Sequence, residues 1–272
     1  MENMSDERYV LKSGTIINVF KKAVFYFSAD KFHFDKNCLS YFERIINTLG
    51  YKLKTADITY TESDKIKHKR INSNKGFANY DLKDLFDKKI NTMTFLNENY
   101  KKHPYENDFS LHINHIQSNS IDIYLCLNLK STEYFEIYTE LYNMLSYCFD
   151  ISYGAFHIDD NFRDPECLVR GIYTHDPLTQ TNEYDIILPQ IDKNTARNKP
   201  MRFLFCINSI RCEDISLDKK NIEIVGERNF LRKGKIISFS LIDEPELSLI
   251  ELIKSEKWKA LHNLLNKTGF IV

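Results

Sequence analysis

Apolar and polar residues alternate most regularly between residues 109 and 129. Ser118 and Asn119 interrupt the alternation near its middle. Because successive side chains of a strand point to opposite faces of its sheet, this pattern predicts the two strands of a β-hairpin that buries one face. The apolar positions of the segment are Phe109, Leu111, Ile113, Ile121, Ile123, Leu125, Leu127 and Leu129.

The segments on either side of this hairpin predict helices and further strands. Residues 23–28 predict a strand, which is followed by an amphipathic helix that ends at Gly50. Residues 132–147 predict a helix that crosses back over the sheet, and residues 151–157 predict the next strand. The apolar stripe of this second helix consists of Phe135, Tyr138, Leu141, Tyr142 and Leu145.

The remaining patterns are less regular. Residues 51–71 are polar with weak alternation. Strands are predicted at residues 202–207, 221–225 and 235–241, with the last two facing each other. Pro245 suits the first turn of a final helix over residues 246–265. A further helix is predicted from the apolar positions Leu82, Leu85, Phe86 and Ile90.

This order of elements predicts an α+β fold with a mainly antiparallel sheet, helices packed on one face and a C-terminal strand-and-helix extension. The length of 272 residues permits one large domain or two small ones. We expect an N-terminal α+β sandwich over residues 1–160, followed by an ordered excursion, punctuated by prolines, over residues 161–200. Residues 201–272 are expected to supply C-terminal strands and a helix that pack on the first part as one unit.

Composition and cysteine usage indicate an ordinary folded protein of the cytoplasm. Hydrophobic residues make up 43% of the chain and charged residues 28%. The first eight residues are polar and acidic, and no apolar stretch approaches the roughly 20 residues that a membrane-spanning helix needs. Six cysteines without a Cys-x-x-Cys pair indicate reduced thiols rather than a disulfide framework or a zinc site.

Charge is segregated along the chain. Residues 106–185 contain 14 acidic and three basic residues, a net charge of −11, although the whole chain has a net charge of −1. An acidic surface in this segment would attract a basic partner and repel nucleic acid. The alternative is that the segment folds against the chain's own basic segments. The predicted partner-binding residues are Asp159, Asp160, Asp164, Glu166, Asp176, Glu183 and Asp185.

A basic run over residues 65–70 balances part of this charge. Aromatic residues hardly interleave it, so it lacks the stacking platforms of a protein that binds single-stranded nucleic acid. It is predicted to be a solvated strand edge or loop, where lysines discourage edge-to-edge pairing. We therefore expect no nucleic-acid partner.

Two groups of residues are candidates for chemistry. His112 and His115 are three residues apart, a spacing that points side chains to opposite faces of a strand and so disfavours a shared metal ion. His157, Asp159 and Asp160 form a short-range cluster of the kind that a metal-dependent hydrolase or nuclease would use. Nucleophile-elbow, P-loop and dinucleotide-binding motifs do not occur. We predict no catalytic residue, no metal and no cofactor.

The layout of the first two thirds of the chain resembles a known class of protein. Residues 23–27 precede a helix over 38–49, and residues 121–129 precede residues 134–141 and then 152–157. This order, with its aromatic residues and acidic centre, resembles bacterial immunity proteins of polymorphic-toxin systems and of contact-dependent or type VI secretion systems. The likeness covers about residues 20–190 and carries over no binding residue.

The resemblance implies a non-catalytic immunity, or antitoxin, protein. Such a protein binds a cognate toxin in the cytoplasm and occludes its active site, and here the toxin would be basic at its contact face. Two alternatives stay open. One is the metal-dependent hydrolase or nuclease with His157, Asp159 and Asp160, and the other is an adaptor or chaperone for a secreted effector.

Overall fold

A computed structural model gives the fold of the chain. The residues that it describes are 7–10, 16–19, 22–33, 37–72, 77, 88–97, 109–114, 116, 121–127, 133–159, 174–175, 182–183, 206–211, 223, 231–233, 236–240, 252 and 254–267. Within them, no helix is both long and apolar enough to span a membrane.

Most of the described residues lie in strands. The strands are β1 (Glu7–Val10), β2 (Ile16–Val19), β3 (Lys22–Phe32), β4 (Thr55–Glu62), β5 (Lys65–Asn72), β6 (Lys89–Leu96), β7 (Phe109–Asn114), β8 (Ile121–Leu127), β9 (Phe149–Asp159), β10 (Thr174–His175), β11 (Asn182–Glu183), β12 (Ile207–Arg211), β13 (Leu231–Lys233) and β14 (Ile236–Ser240). The helices are α1 (Cys38–Thr48), α2 (Tyr134–Leu145) and α3 (Glu256–Lys267).

Ten of these strands form one sheet, in the order β13-β14-β12-β9-β3-β8-β7-β6-β4-β5. Every neighbouring pair in it is antiparallel, which confirms the predicted α+β class with a mainly antiparallel sheet. The short pairs β1–β2 and β10–β11 stand outside it. Because β12 pairs with β9, the strands after residue 200 continue the sheet that the first 160 residues build.

Helices α1 and α2 cover one face of this sheet, as predicted. The ring of Phe42 in α1 lies 5.1 Å from that of Phe95, and the ring of Tyr138 in α2 lies 5.5 Å from that of Phe27. The register of the strands aligns a row of buried apolar side chains beneath the helices. From one side of the sheet to the other the row consists of Ile71, Ala56, Phe95, Leu111, Leu125, Phe25, Phe156 and Ile207.

The second face of the central strands is also buried, which corrects the expectation of a hairpin with one buried face. Strand β7 alternates between buried and half-buried residues as predicted, but all seven residues of β8 are buried. Asp122 is tolerated there because its Oδ1 accepts a 2.7 Å hydrogen bond from the hydroxyl of Tyr26 in β3. Burial, reinforced by the Asp122 carboxylate, raises the pKa of Tyr26 well above its ordinary value.

The side chain of Tyr138 in α2 occupies the space above Gly154, in the middle of β9. A Cβ atom at this position would lie 2.3 Å from the hydroxyl oxygen of Tyr138 and 2.9 Å from Cδ1 of Phe27. Glycine weakens a strand interior, so it marks a place where another group needs the space. At this site that group is the aromatic side chain of α2.

The described residues show that three other predictions from the sequence are wrong. Ile90, assigned to a helix, lies in β6, while residues 81–87 of that pattern lie outside the described residues. Glu223, assigned to a strand, is helical, and β14 pairs with β12 and β13 instead. The final helix does not run unbroken from residue 246, because the chain bends at Ser255, whose hydroxyl accepts a hydrogen bond from the backbone N–H of Trp258 and so caps α3.

Truncation of the central hairpin should destabilise the whole sheet. Leu125 is buried beneath the helices, so Leu125→Ala should lower the free energy of unfolding by about 2–5 kcal/mol through lost burial and the cavity left behind. Ile66→Ala is the matched control, because Ile66 is 69% exposed and its truncation should cost less than about 0.5 kcal/mol. Equilibrium denaturation measures both, and a loss below about 1 kcal/mol for Leu125→Ala would place the hairpin at the periphery.

The close approach at Gly154 predicts a second stability change. Gly154→Ala should destabilise the protein by about 1–3 kcal/mol, because the new methyl group overlaps the side chains of Tyr138 and Phe27. Adding Tyr138→Phe removes the hydroxyl that the methyl group meets first, so the double variant should be more stable than the sum of the two single changes predicts. Strict additivity in thermal or denaturant unfolding would show that α2 does not rest on Gly154.

Candidate functional site

The predicted acidic surface lies largely outside the described residues. Asp160, Asp164, Glu166, Asp176 and Asp185 are all outside them. Asp159 is the last residue of β9, and in the register of the sheet it stands directly opposite Lys22 of β3. Glu183 lies in β11, which pairs with β10. Lys22, one of the chain's own basic residues, therefore lies beside Asp159 at the predicted interface.

The exposed side of helix α2 carries three carboxylates, which belong to the acidic segment of residues 106–185. Glu133, Glu136 and Glu140 are exposed, and their spacing of three and four residues aligns them on one side of the helix. The opposite side of α2 is buried against the sheet through Tyr138, Tyr142 and other apolar residues. Glu136, in the first turn, also interacts favourably with the dipole of the helix. We call Glu133, Glu136 and Glu140 the acidic stripe.

The acidic stripe begins at the end of the sheet where the predicted acidic surface begins. The ring of Tyr134, next to Glu133, stacks 5.2 Å from the ring of Phe156 in β9. Asp159 follows Phe156 by three residues, a rise of about 10 Å along a strand. The start of α2 and the end of β9 are therefore neighbours. Sequence reasoning counted these glutamates but had no means of placing them beside Asp159.

An exposed aromatic residue lies just beyond the C-terminal end of α2. Tyr147 is 76% exposed, follows Glu140 by seven residues and packs edge-on against Tyr41 of α1 with 5.7 Å between ring centroids. The guanidinium carbon of Arg44 lies 5.2 Å from the centroid of the Tyr41 ring. Tyrosine and arginine are enriched where interfaces concentrate binding energy. The apolar pattern of α2 ends at Leu145, so no periodicity in the sequence identifies Tyr147.

The basic run forms an edge strand, as the sequence predicts. Strand β5 is the last strand of the sheet, and residues 65–68 are exposed. Its charges are partly paired: Arg70 donates hydrogen bonds of 2.7 and 3.2 Å to Asp57, and Glu62 accepts hydrogen bonds from Lys67 and Lys88. The hydrogen bonds from these two lysines lower the pKa of Glu62 to about 2.

The candidate histidines make other contacts. His157 is 3% exposed, and its Nδ1 lies 3.1 Å from Sγ of Cys206. Burial raises the pKa of the Cys206 thiol to about 12, so this thiol is protonated at neutral pH and is not a nucleophile there. His112 lies 3.2 Å from the hydroxyl of Thr94, and His115 is outside the described residues. Among the residues whose structure is described, no three His, Cys, Asp or Glu side chains are grouped to hold a metal ion.

Comparison with known proteins adds little to this geometry. No protein-family model matches the chain, and no curated protein matches it. Among solved structures the chain is similar to a type VI secretion system protein of Pseudomonas aeruginosa, with a TM-score of 0.46 and 12% sequence identity, over 85% of this chain and 68% of that one.

The two lysines at Glu62 predict a pH dependence of stability. Because the pKa of Glu62 is about 2 in the folded protein and its ordinary value is 4.5, its contribution to stability is present above pH 4.5 and is lost as the pH falls toward 2. Glu62→Gln should therefore be less stable than the natural protein at pH 7, and the difference should vanish near pH 2. Asp64→Asn, in the same turn, is the control. A difference in thermal midpoint that stays constant from pH 7 to 3 would contradict this pairing.

Proposed function

We propose that this chain is a non-catalytic immunity protein that binds a cognate bacterial toxin and occludes its active site. The proposal places both proteins in the cytoplasm, where the toxin would otherwise act. Its contact surface consists of the acidic stripe, Tyr147 and the carboxylates from the end of β9 onward, namely Asp159, Asp160, Asp164, Glu166, Asp176, Glu183 and Asp185. The toxin presents a basic face to this surface.

The single observation that carries the proposal is the position of the acidic stripe on the outer side of α2. The same helix buries its other side against the sheet, so its carboxylates are held on a rigid element and face solvent. Because the helix backbone is already ordered, only the glutamate side chains lose conformational freedom when a basic partner docks, which limits the entropic cost of binding. The net charge of −11 over residues 106–185 adds a long-range attraction that speeds the encounter.

Tyr147 supplies the apolar part of this surface. Carboxylates at a solvated rim change the rate of association more than the affinity, whereas a central aromatic side chain contributes to slow dissociation. The edge-on contact with Tyr41 restricts the ring of Tyr147 before any partner arrives. An anchored, exposed aromatic ring also suits a partner's lysine or arginine through cation–π attraction.

The test uses the protein encoded by the gene next to the gene of this chain. Co-expression should restore growth to cells that produce this neighbour, and the two purified proteins should form an equimolar complex. Glu136→Lys/Glu140→Lys and Asp159→Lys/Asp160→Lys should each weaken the complex about tenfold or more, mainly through slower association. Tyr147→Ala should weaken it to a similar degree, through faster dissociation.

Controls separate the interface from a general effect of charge. Glu223→Lys/Glu256→Lys makes the same charge change at exposed carboxylates elsewhere. It should leave the affinity within about twofold of that of the natural protein, because exposed charges outside an interface contribute little to binding. The association rate should fall as ionic strength passes about 0.15 M, where the Debye length is about 8 Å. Absence of both growth rescue and a complex would overturn the proposal, as would a complex that none of the three interface variants weakens.

A further inference from the structure

The edge strand β5 is long and regular, and among the described residues no strand lies beyond it. It has eight residues and pairs with β4 at eight successive positions, from Glu62 opposite Lys65 to Thr55 opposite Asn72, without a register shift. Natural edge strands are commonly shortened, bulged or covered, because a free edge is a template for another strand. The strand at the other edge of the sheet, β13, has only three residues.

Charge is the feature that protects this edge from unwanted pairing. Lys65, Lys67 and Lys69 lie at alternate positions and therefore project from the same side of the strand. Pairing of β5 with β5 of a second copy would bring lysines next to lysines, and like charges on neighbouring strands are unfavourable. Lys67 already donates a hydrogen bond to Glu62, and the row of ammonium groups as a whole would stabilise a neighbouring strand that carries carboxylates at alternate positions.

We infer that the outer edge of β5 docks an extended acidic segment of a partner protein by adding it to the sheet as an eleventh strand. This surface is separate from the acidic stripe and selects for the opposite charge. Main-chain hydrogen bonds along the edge supply affinity, and the alternating lysines supply specificity. The proposal does not depend on the identity of any toxin.

Side chains on both sides of β5 shape the expected ligand. On the side of the lysines, the docked strand carries Asp or Glu at every second position. On the other side it meets Ile66, which is 69% exposed, and His68. An apolar side chain next to Ile66 buries surface that the isolated protein leaves in water. The ligand is therefore an extended segment in which acidic and apolar residues alternate.

The test measures binding of the intact protein to a fluorescent peptide of eight alternating glutamate and valine residues. Lys65→Glu/Lys69→Glu should weaken binding about tenfold, because it replaces attraction by repulsion at the edge. Lys254→Glu/Lys257→Glu makes the same charge change at exposed residues of the C-terminal region, and it should leave binding unchanged. Circular dichroism and the thermal midpoint check that the variants fold.

Two further ligands keep the inference falsifiable even where the edge variant unfolds. The same peptide with its backbone N-methylated retains every carboxylate but loses the N–H groups that a new strand must donate, so it should not bind. A single-stranded oligonucleotide of equal charge should bind at least about tenfold more weakly, because it has no strand edge to offer. If the N-methylated peptide or the oligonucleotide binds as tightly as the unmodified peptide, β5 binds polyanions in general, and the inference of strand addition is wrong.

Discussion

The close contact between α2 and the centre of the sheet fixes the position of the acidic stripe, which belongs to the described part of the proposed contact surface. Tyr138 lies against Phe27 and over Gly154, so the helix can approach β9 only because that strand carries no side chain at this point. Once Tyr138 is seated, the spacing of the helix places Glu136 and Glu140 in solvent. The stack of Tyr134 on Phe156 then sets the start of α2 beside the end of β9. A core contact thus determines where the carboxylates face.

Strand β3 lies in the middle of the sheet and is hydrogen-bonded to another strand along each of its edges. It pairs with β8 on one side and with β9 on the other. Its odd-numbered residues Phe25 and Phe27 meet the helices, and its even-numbered residues Val24 and Tyr26 are buried on the second face. Arg211 of β12 extends this centre, because it forms ion pairs with Asp30 of β3 at 2.8 Å and Asp150 of β9 at 3.5 Å. The C-terminal strands are tied to the same core.

Sequence patterns identify those helices and strands that have one buried and one exposed face. The period of two in β7 and the apolar stripe of α2 both report a single buried face, and both elements lie where they were predicted. Strand β5 has little apolar alternation because it is exposed, so only its Lys-rich composition hints at an edge. Ile90 follows Phe86 at helical spacing by coincidence, and the pairing of β6 with β4 decides the outcome.

Interactions between distant residues were beyond the reach of such patterns. Asp122 looks like the solvated side of a strand, but the hydroxyl of Tyr26, 96 positions earlier, donates a hydrogen bond that helps to make its burial tolerable. The same holds for the site. Counting charges finds the acidic segment, but the neighbourhood of Glu133 and Asp159 follows from the stack of Tyr134 on Phe156, and the exposure of Tyr147 follows from the end of α2.

The connectivity of the sheet also orders the events of folding. Strands β4, β5, β6, β7 and β8 pair with partners near them in the chain, so this antiparallel group can form early at a small cost in loop-closure entropy. Strand β3 precedes this group but must wait for β8 and then for β9, which the ribosome produces much later. During that interval its unpaired backbone edges and its apolar, aromatic side chains are open to other nascent chains. Production of this protein is therefore most vulnerable to aggregation before residue 159 has emerged.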